Sequence, residues 1–262
     1  MTGGPETNRR MATALRESVG DAVATLRAWH RRRRPRKTEF GAQVLHGFTA
    51  QEFMYRFESL GENCEFGIVQ RRCGAEPLGP FRFAIVGADN LARVLEAGMS
   101  DLLDEQLMEV KLSDGRYVVH NPKYAITFGH SGLHDGELGP DRALHLIVRR
   151  LQLLTRKLKA ILAAGEKILV FRSRVDDDAA ALRLGAALRR FGPNVLLWVA
   201  PARNADAIGG VELLAEGILK GQIDPESDWD NLALDTWLTL CDRAYGCWRA
   251  LDATGGGRSI AR

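Results

Sequence analysis

The sequence predicts an α/β domain, with an open, mostly parallel sheet as the middle of three layers and an inserted β-hairpin. Three observations carry that expectation. Lys167–Ser173 and Val195–Val199 are almost unbroken apolar runs, as expected of strands buried on both faces. Asp178–Arg190, between them, has helical apolar spacing, which completes a strand–helix–strand unit. Upstream, the aromatic-rich stretch 53–59 reads as another buried strand. It leads into a glycine-containing turn and then a short helix: Ser59-Leu60-Gly61-Glu62-Asn63-Cys64-Glu65-Phe66-Gly67.

The remaining elements follow in chain order. Met11, Leu15, Val19, Val23, Leu26 and Trp29 recur every three or four residues, a helical stripe that the Arg31–Arg34 run and Pro35 bring to an end. Thr49 is suited to cap a short helix ahead of the first strand. After the Cys64 turn, Ile68–Cys73 is helical and closed by Gly74, and the segment 74–80 is a loop stiffened by glycine and proline. Phe81-Arg82-Phe83-Ala84 brings two aromatics close to that loop. Leu91–Leu103 reads as a helix, Leu107–His120 as a hairpin turning at Ser113-Asp114-Gly115, and Tyr124–Phe128 as a strand. His130-Ser131-Gly132-Leu133-His134-Asp135-Gly136 is a polar, glycine-rich loop, followed by a long helix over Asp141–Ala164. Gly209–Ile223 is ambiguous between helix and strand, and Asp228–Leu251 closes the domain as an amphipathic helix. The expected division is a basic arm over 1–39, partly helical or disordered, a single α/β domain over 40–252, and a flexible tail over 253–262.

Charge is distributed unevenly. Residues 1–40 contain ten Arg or Lys against four acids, so the formal net charge of +3 comes from the arm and the rest of the chain is slightly acidic. The basic amphipathic stretch over residues 10–37 reads either as a peripheral contact with an anionic membrane surface or as a loosely docked or disordered arm. Nucleic acid is not expected as a partner, because the basic run has no interleaved aromatics and no recognition motif. Cys64, Cys73, Cys241 and Cys247 form no C-x-x-C pair, so no metal site is predicted. Without a secretory leader pattern or a spanning apolar run, reduced thiols predict a cytoplasmic protein, peripheral at most to the inner membrane.

Cys64 is the leading candidate for chemistry, the alternative being that it is a small buried core residue. A thiol at a helix N-terminus after a strand faces unpaired N–H groups and the positive end of the helix dipole, which favour its thiolate. The Cys64 N–H and the Asn63 amide are placed to donate to an oxyanion, with Gly61 in the same turn on the substrate side. His130 and His134 are the imidazoles best placed to accept the thiol proton, and Asp135 is placed to orient one of them. His120 and His145 are weaker candidates. Arg172 and Arg174, at the exit of the 167–173 strand, would hold a substrate carboxylate or phosphate, unless they pair with Asp176, Asp177 or Asp178. Cys73, Cys241 and Cys247 occupy apolar helix positions and read as packing. The glycines form neither G-x-G-x-x-G nor a Walker A loop, so nucleotide binding lacks its usual signal.

Ser59-Leu60-Gly61-Glu62-Asn63-Cys64 resembles the S-L-G-x-x-C signature of a bacterial family of unknown function labelled papain-like cysteine peptidase. Phe81-Arg82-Phe83, His134-Asp135 and Ile168-Leu169-Val170-Phe171-Arg172 are similar to that family's later motifs, with Arg82 where its aspartate would stand. The resemblance implies Cys64 as nucleophile and His134 as its base, with Asp135 in the same motif. The turn is also similar to the G-N-C-Q turn of capsule-biosynthesis acyltransferase-like proteins. That likeness implies an SGNH-hydrolase-like fold, an acyl-CoA donor and a role in surface polysaccharide metabolism. The function expected is thus a cysteine-dependent hydrolase or acyltransferase needing no cofactor. The alternative is a non-catalytic binding or scaffold domain recruited to a membrane by the arm.

Overall fold

A computed structural model of the protein describes residues 44–129, 132–134, 136 and 138–254. The chain divides after Arg36, and the description concerns the unit that begins at Lys37. The amphipathic stripe, the basic arm, His130, Asp135 and the residues after Thr254 lie outside the described residues.

Val44–Leu45 (β1) and Phe48–Thr49 (β2) form a small antiparallel pair leading into helix α1, Ala50–Met54. Thr49 caps that helix as the sequence suggests, through a reciprocal pair of bonds with Glu52. The strand expected over 53–59 is shortened by it to Phe57–Ser59 (β3), because Phe53 and Met54 are taken into α1. Helix α2 covers Glu65–Arg72. Ala84–Ile85 (β4) and helix α3, Ala88–Glu96, follow. Next come Glu109–Ser113 (β5), Arg116–Asn121 (β6), Ile126–Phe128 (β7) and helix α4, Pro140–Ala164. Ile168–Arg172 (β8), helix α5 (Asp178–Arg189) and Val195–Pro201 (β9) form the predicted strand–helix–strand unit. The ambiguous stretch resolves into a hairpin, Val211–Ala215 (β10) and Ile218–Ile223 (β11), and helix α6 spans Leu234–Thr254.

The central sheet has the order β10-β11-β9-β8-β3, with β3, β8, β9 and β11 parallel and β10 antiparallel at one edge. Its alternate residues face two cores. Phe57, Ile168, Val170, Leu197, Val199 and Leu219 pack under α1, α2 and α6. Leu169, Phe171, Leu196 and Trp198 face α3, α4 and α5. A mostly parallel sheet with helices on both faces is therefore present. The inserted hairpin is larger than expected: β5 and β6 belong to a four-stranded antiparallel sheet of order β4-β7-β6-β5. Its turn, Asp114-Gly115, takes positive φ at both residues, the geometry that lets a two-residue turn match strand twist.

The two sheets meet at the segment that follows β3. Leu60 N–H donates to Val170 O at 2.9 Å, and Gly61 O accepts from Arg172 N–H at 3.3 Å, so the segment still runs beside β8. Glu62 then bridges antiparallel to Val86, just past β4. Cys64 emerges two residues later, at this seam and on the carboxyl edge of the parallel strands.

Candidate functional site at the Cys64 turn

Local chemistry forces the turn. Gly61 has φ 100°, and a Cβ there would lie 2.9 Å from Val86 Cγ1 and 3.3 Å from Ala84 O, so only glycine passes between β8 and β4. Glu62 Oε2 accepts the Arg174 N–H at 2.8 Å, tying the turn to the chain leaving β8. Asn63 Oδ1 accepts the Glu65 N–H at 2.9 Å and starts α2. The Asn63 amide nitrogen makes no hydrogen bond among the described residues, as an oxyanion donor requires. Cys64 is the N-cap residue of α2, with helical backbone angles and no side-chain cap bond, and its thiol is half-buried.

A buried ionic cluster holds α2 from inside. The fully buried Glu65 carboxylate takes Arg172 Nε at 3.1 Å, Ser227 Oγ at 2.6 Å and Trp237 Nε1 at 2.8 Å. Arg172 also donates to Ser173 O and, at 3.5 Å, to Ser227 O. One carboxylate thus joins the first turn of α2, the exit of β8, the loop after β11 and helix α6. Arg82, also buried, donates to Gly67 O at 2.9 Å and Ala75 O at 3.1 Å and pairs with Glu76. It therefore clamps α2 against the 74–80 loop. Neither Glu65, Ser227 nor Trp237 was marked by the sequence, since they lie 162 and 172 residues apart and no spacing announces such a cluster.

The electrostatics differ from the helix-dipole expectation. Burial pushes the Cys64 thiol above its ordinary value, and the Arg71 guanidinium only partly opposes this. The ordinary thiol value of 9.0 already lies above neutral pH and burial raises it further, so the neutral thiol is the resting form at pH 7. Burial likewise raises the Glu62 carboxyl, against the Arg174 N–H and the charges of Arg174 and Arg172.

The predicted partners are placed as follows. Arg172 is turned inward onto Glu65 and is spent there, so the expected substrate contact falls to Arg174 alone. The acids near Arg174 are engaged elsewhere: Asp176 with Lys220 and Arg203, Asp178 with Lys220, and Asp177 as the cap of α5. The Arg174 side chain makes no hydrogen bond or ion pair among the described residues. Gly61 serves the backbone path. His134 lies in an antiparallel bridge with Arg116, at the start of β6. His120 Nδ1 contacts Thr127 Oγ1 at 3.0 Å, His145 pairs with Glu105 at 3.2 Å and His46 with Asp242 at 3.1 Å. No described imidazole is hydrogen-bonded to Cys64. Gly129 N–H donates to Phe83 O at 3.2 Å, and the Phe83 ring lies 2.7 Å from where a Cβ on Gly67 would sit. The chain leading to residue 130 therefore passes one side chain away from α2.

Among the described residues no group of three or more His, Cys, Asp or Glu is placed to hold a metal ion. None of the helices among them is long and apolar enough to cross a membrane. The chain matches no family model, no curated protein and no solved structure.

Proposed function

We propose that this chain is a cysteine-dependent hydrolase or acyltransferase in which Cys64 attacks the acyl carbon of its substrate. One observation carries the reading: a half-buried thiol at the start of α2, on the carboxyl edge of parallel strands, directly after an Asn63 whose amide nitrogen makes no hydrogen bond among the described residues. In the reaction, His134 or His130 accepts the thiol proton as sulfur bonds to the carbonyl carbon. The Cys64 N–H and Asn63 Nδ2 hold the oxyanion, and its collapse expels the leaving group, which takes up the proton. Water or an acceptor hydroxyl then cleaves the thioester and frees the sulfur. The S-L-G-x-x-C resemblance supports this assignment, and the G-N-C-Q likeness supports an acyl-CoA donor and a surface-polysaccharide acceptor.

Iodoacetamide labelling of the intact protein is the test. Labelling at Cys64, separated by peptide mapping from that at the equally half-buried Cys247, should disappear in Cys64→Ala. Because burial raises the thiol, its rate, followed from pH 7, should still be climbing with pH at pH 9. His130→Ala and His134→Ala then identify the proton acceptor by which of them slows turnover. A Cys64 that stays inert across that range in the folded protein sinks the assignment.

A second reading is favoured by the raised thiol and by the engagement of the His46, His120 and His145 imidazoles elsewhere. It is a non-catalytic binding domain that the basic stretch over 10–37 recruits to an anionic membrane. Liposome sedimentation of the full chain against a chain starting at Glu39 decides it, and equal partitioning disposes of an anchoring arm.

A further inference from the structure

The loop between β11 and α6 lies against the Cys64 turn, and its composition is that of a recognition surface. Ser227 fixes its inner side, donating to Glu65 Oε1 while its carbonyl receives Arg172 Nη2. From that anchor the chain turns outward over Asp228-Trp229-Asp230-Asn231. Asp228 Oδ1 accepts the N–H groups of Asp230 at 2.8 Å and Asn231 at 2.7 Å, and Asn231 Nδ2 donates to Glu226 O at 3.2 Å. The turn is therefore rigid. At its tip Trp229 is 55% exposed, whereas Trp198, Trp237 and Trp248 are buried. The N–H groups of Asn231 and Asp230 hold the Asp228 carboxyl below the usual range, and the charge of Arg174 adds to them.

We propose that Arg174 and the 228–231 turn form a recognition surface beside the Cys64 turn, and that the substrate is a hydroxylated ring carrying a phosphate or carboxylate. The anion sits on the guanidinium of Arg174, which is bidentate by shape and makes no hydrogen bond or ion pair among the described residues. The ring face stacks on the Trp229 indole, whose flat surface is held out at low entropic cost by the fixed turn. Ring hydroxyls donate to Asp228 Oδ2, which is left over from the turn bonds, and to the exposed Asp230 carboxylate. Acceptors on both sides of an exposed indole suit a donor-rich ring and oppose a second anion, so the charged group is confined to the Arg174 side. The proposal rests on reading this edge as the substrate cleft of Cys64, so its test reads binding and leaves the thiol untouched.

Full-length protein is titrated with glucose 6-phosphate and with glucuronate, which separate the two anions. Glucose and inorganic phosphate serve as half-ligands. Binding is measured by isothermal titration calorimetry, so that Trp229→Ala is read on the same scale as the parent. At least one of the two ring anions should bind about tenfold tighter than either half-ligand. Trp229→Ala should cost about tenfold for that ligand and leave inorganic phosphate unchanged, while Arg174→Ala should weaken both. Trp229 is exposed, so its replacement does not threaten folding. Unchanged binding in Trp229→Ala, equal affinity for phosphate with and without the ring, or no binding of either ring anion each overturns the proposal. Ring binding beside a Cys64 inert to iodoacetamide would instead remove only the catalytic reading.

Discussion

Replacing Glu65 by Gln should destabilise the domain far more than a one-atom change suggests. The carboxylate is fully buried and is the one ion-pair partner of Arg172 among the described residues, and Arg172 is itself 3% exposed. Gln keeps the shape but removes the charge, leaving a guanidinium desolvated without a counter-ion. Breaking a buried pair by removing one partner costs about 3–5 kcal/mol, and the retained amide oxygen still serves one donor, so about 3 kcal/mol is expected. Glu65→Leu also deprives Ser227 Oγ and Trp237 Nε1 of their acceptor, at about 1 kcal/mol each, for a total near 5 kcal/mol. The double variant Glu65→Leu with Arg172→Met removes both charges and should recover about half of that loss. Urea unfolding at pH 7 measures all three, provided the m-values match that of the parent. A loss below about 1 kcal/mol in Glu65→Gln, or a double variant no better than Glu65→Leu, would refute the account of the cluster.

Two further outcomes follow from the same geometry. Gly61→Ala combines a positive φ with a 2.9 Å approach to Val86. It should cost about 2–3 kcal/mol in urea unfolding, and a loss under about 0.5 kcal/mol would mean that the β3–β4 seam is not tight. The fully buried Cys241 thiol is held well above the ordinary value of 9.0 by burial. Its proton therefore stays on in the folded state after the unfolded chain has lost it, so stability is intact below pH 9 and falls above it by about 1.4 kcal/mol per pH unit. Urea midpoints measured from pH 8 to 10.5 should decline less steeply in Cys241→Ala than in the parent, and parallel declines would contradict this.

The parts of the fold legible in sequence were those whose signal is local. Ile168–Phe171 and Val195–Val199 read as buried strands because no polar residue interrupts them, and Asp114-Gly115 specifies its own hairpin. Phe53 and Met54 misled because five residues of helix are too short to show a period, although Thr49 and Glu52 already spelled its cap. The antiparallel sheet was invisible because β4 has two residues and finds its partner, β7, about forty positions away. Asp228 was read as the start of the last helix. Its carboxylate instead holds the turn ahead of α6, an outcome that the residue types alone do not distinguish. At the site, Cys64, Asn63 and Arg174 could be named from the turn and the strand exit. Glu65 and Arg82 could not, because their partners are set by tertiary packing.

The cost of the Glu65–Arg172 pair is itself informative about the turn. A core of this size could hold α2 with aliphatic residues at no desolvation penalty, and well-packed apolar replacements of buried pairs are often neutral or stabilising. What aliphatic residues would not supply is direction. Arg172 and Glu65 share one hydrogen-bond axis, Ser227 and Trp237 fix the second carboxylate oxygen, and Arg82 fixes Gly67 O, so the first turn of α2 has little freedom to rotate. A cysteine that merely filled space would gain nothing from such restraint, whereas an attacking sulfur must meet its oxyanion donors within a few tenths of an ångström. The apolar double variant separates these purposes. If it regains stability while Cys64 alkylation and turnover fall, the cluster orients the thiol. If both recover together, it only holds the fold.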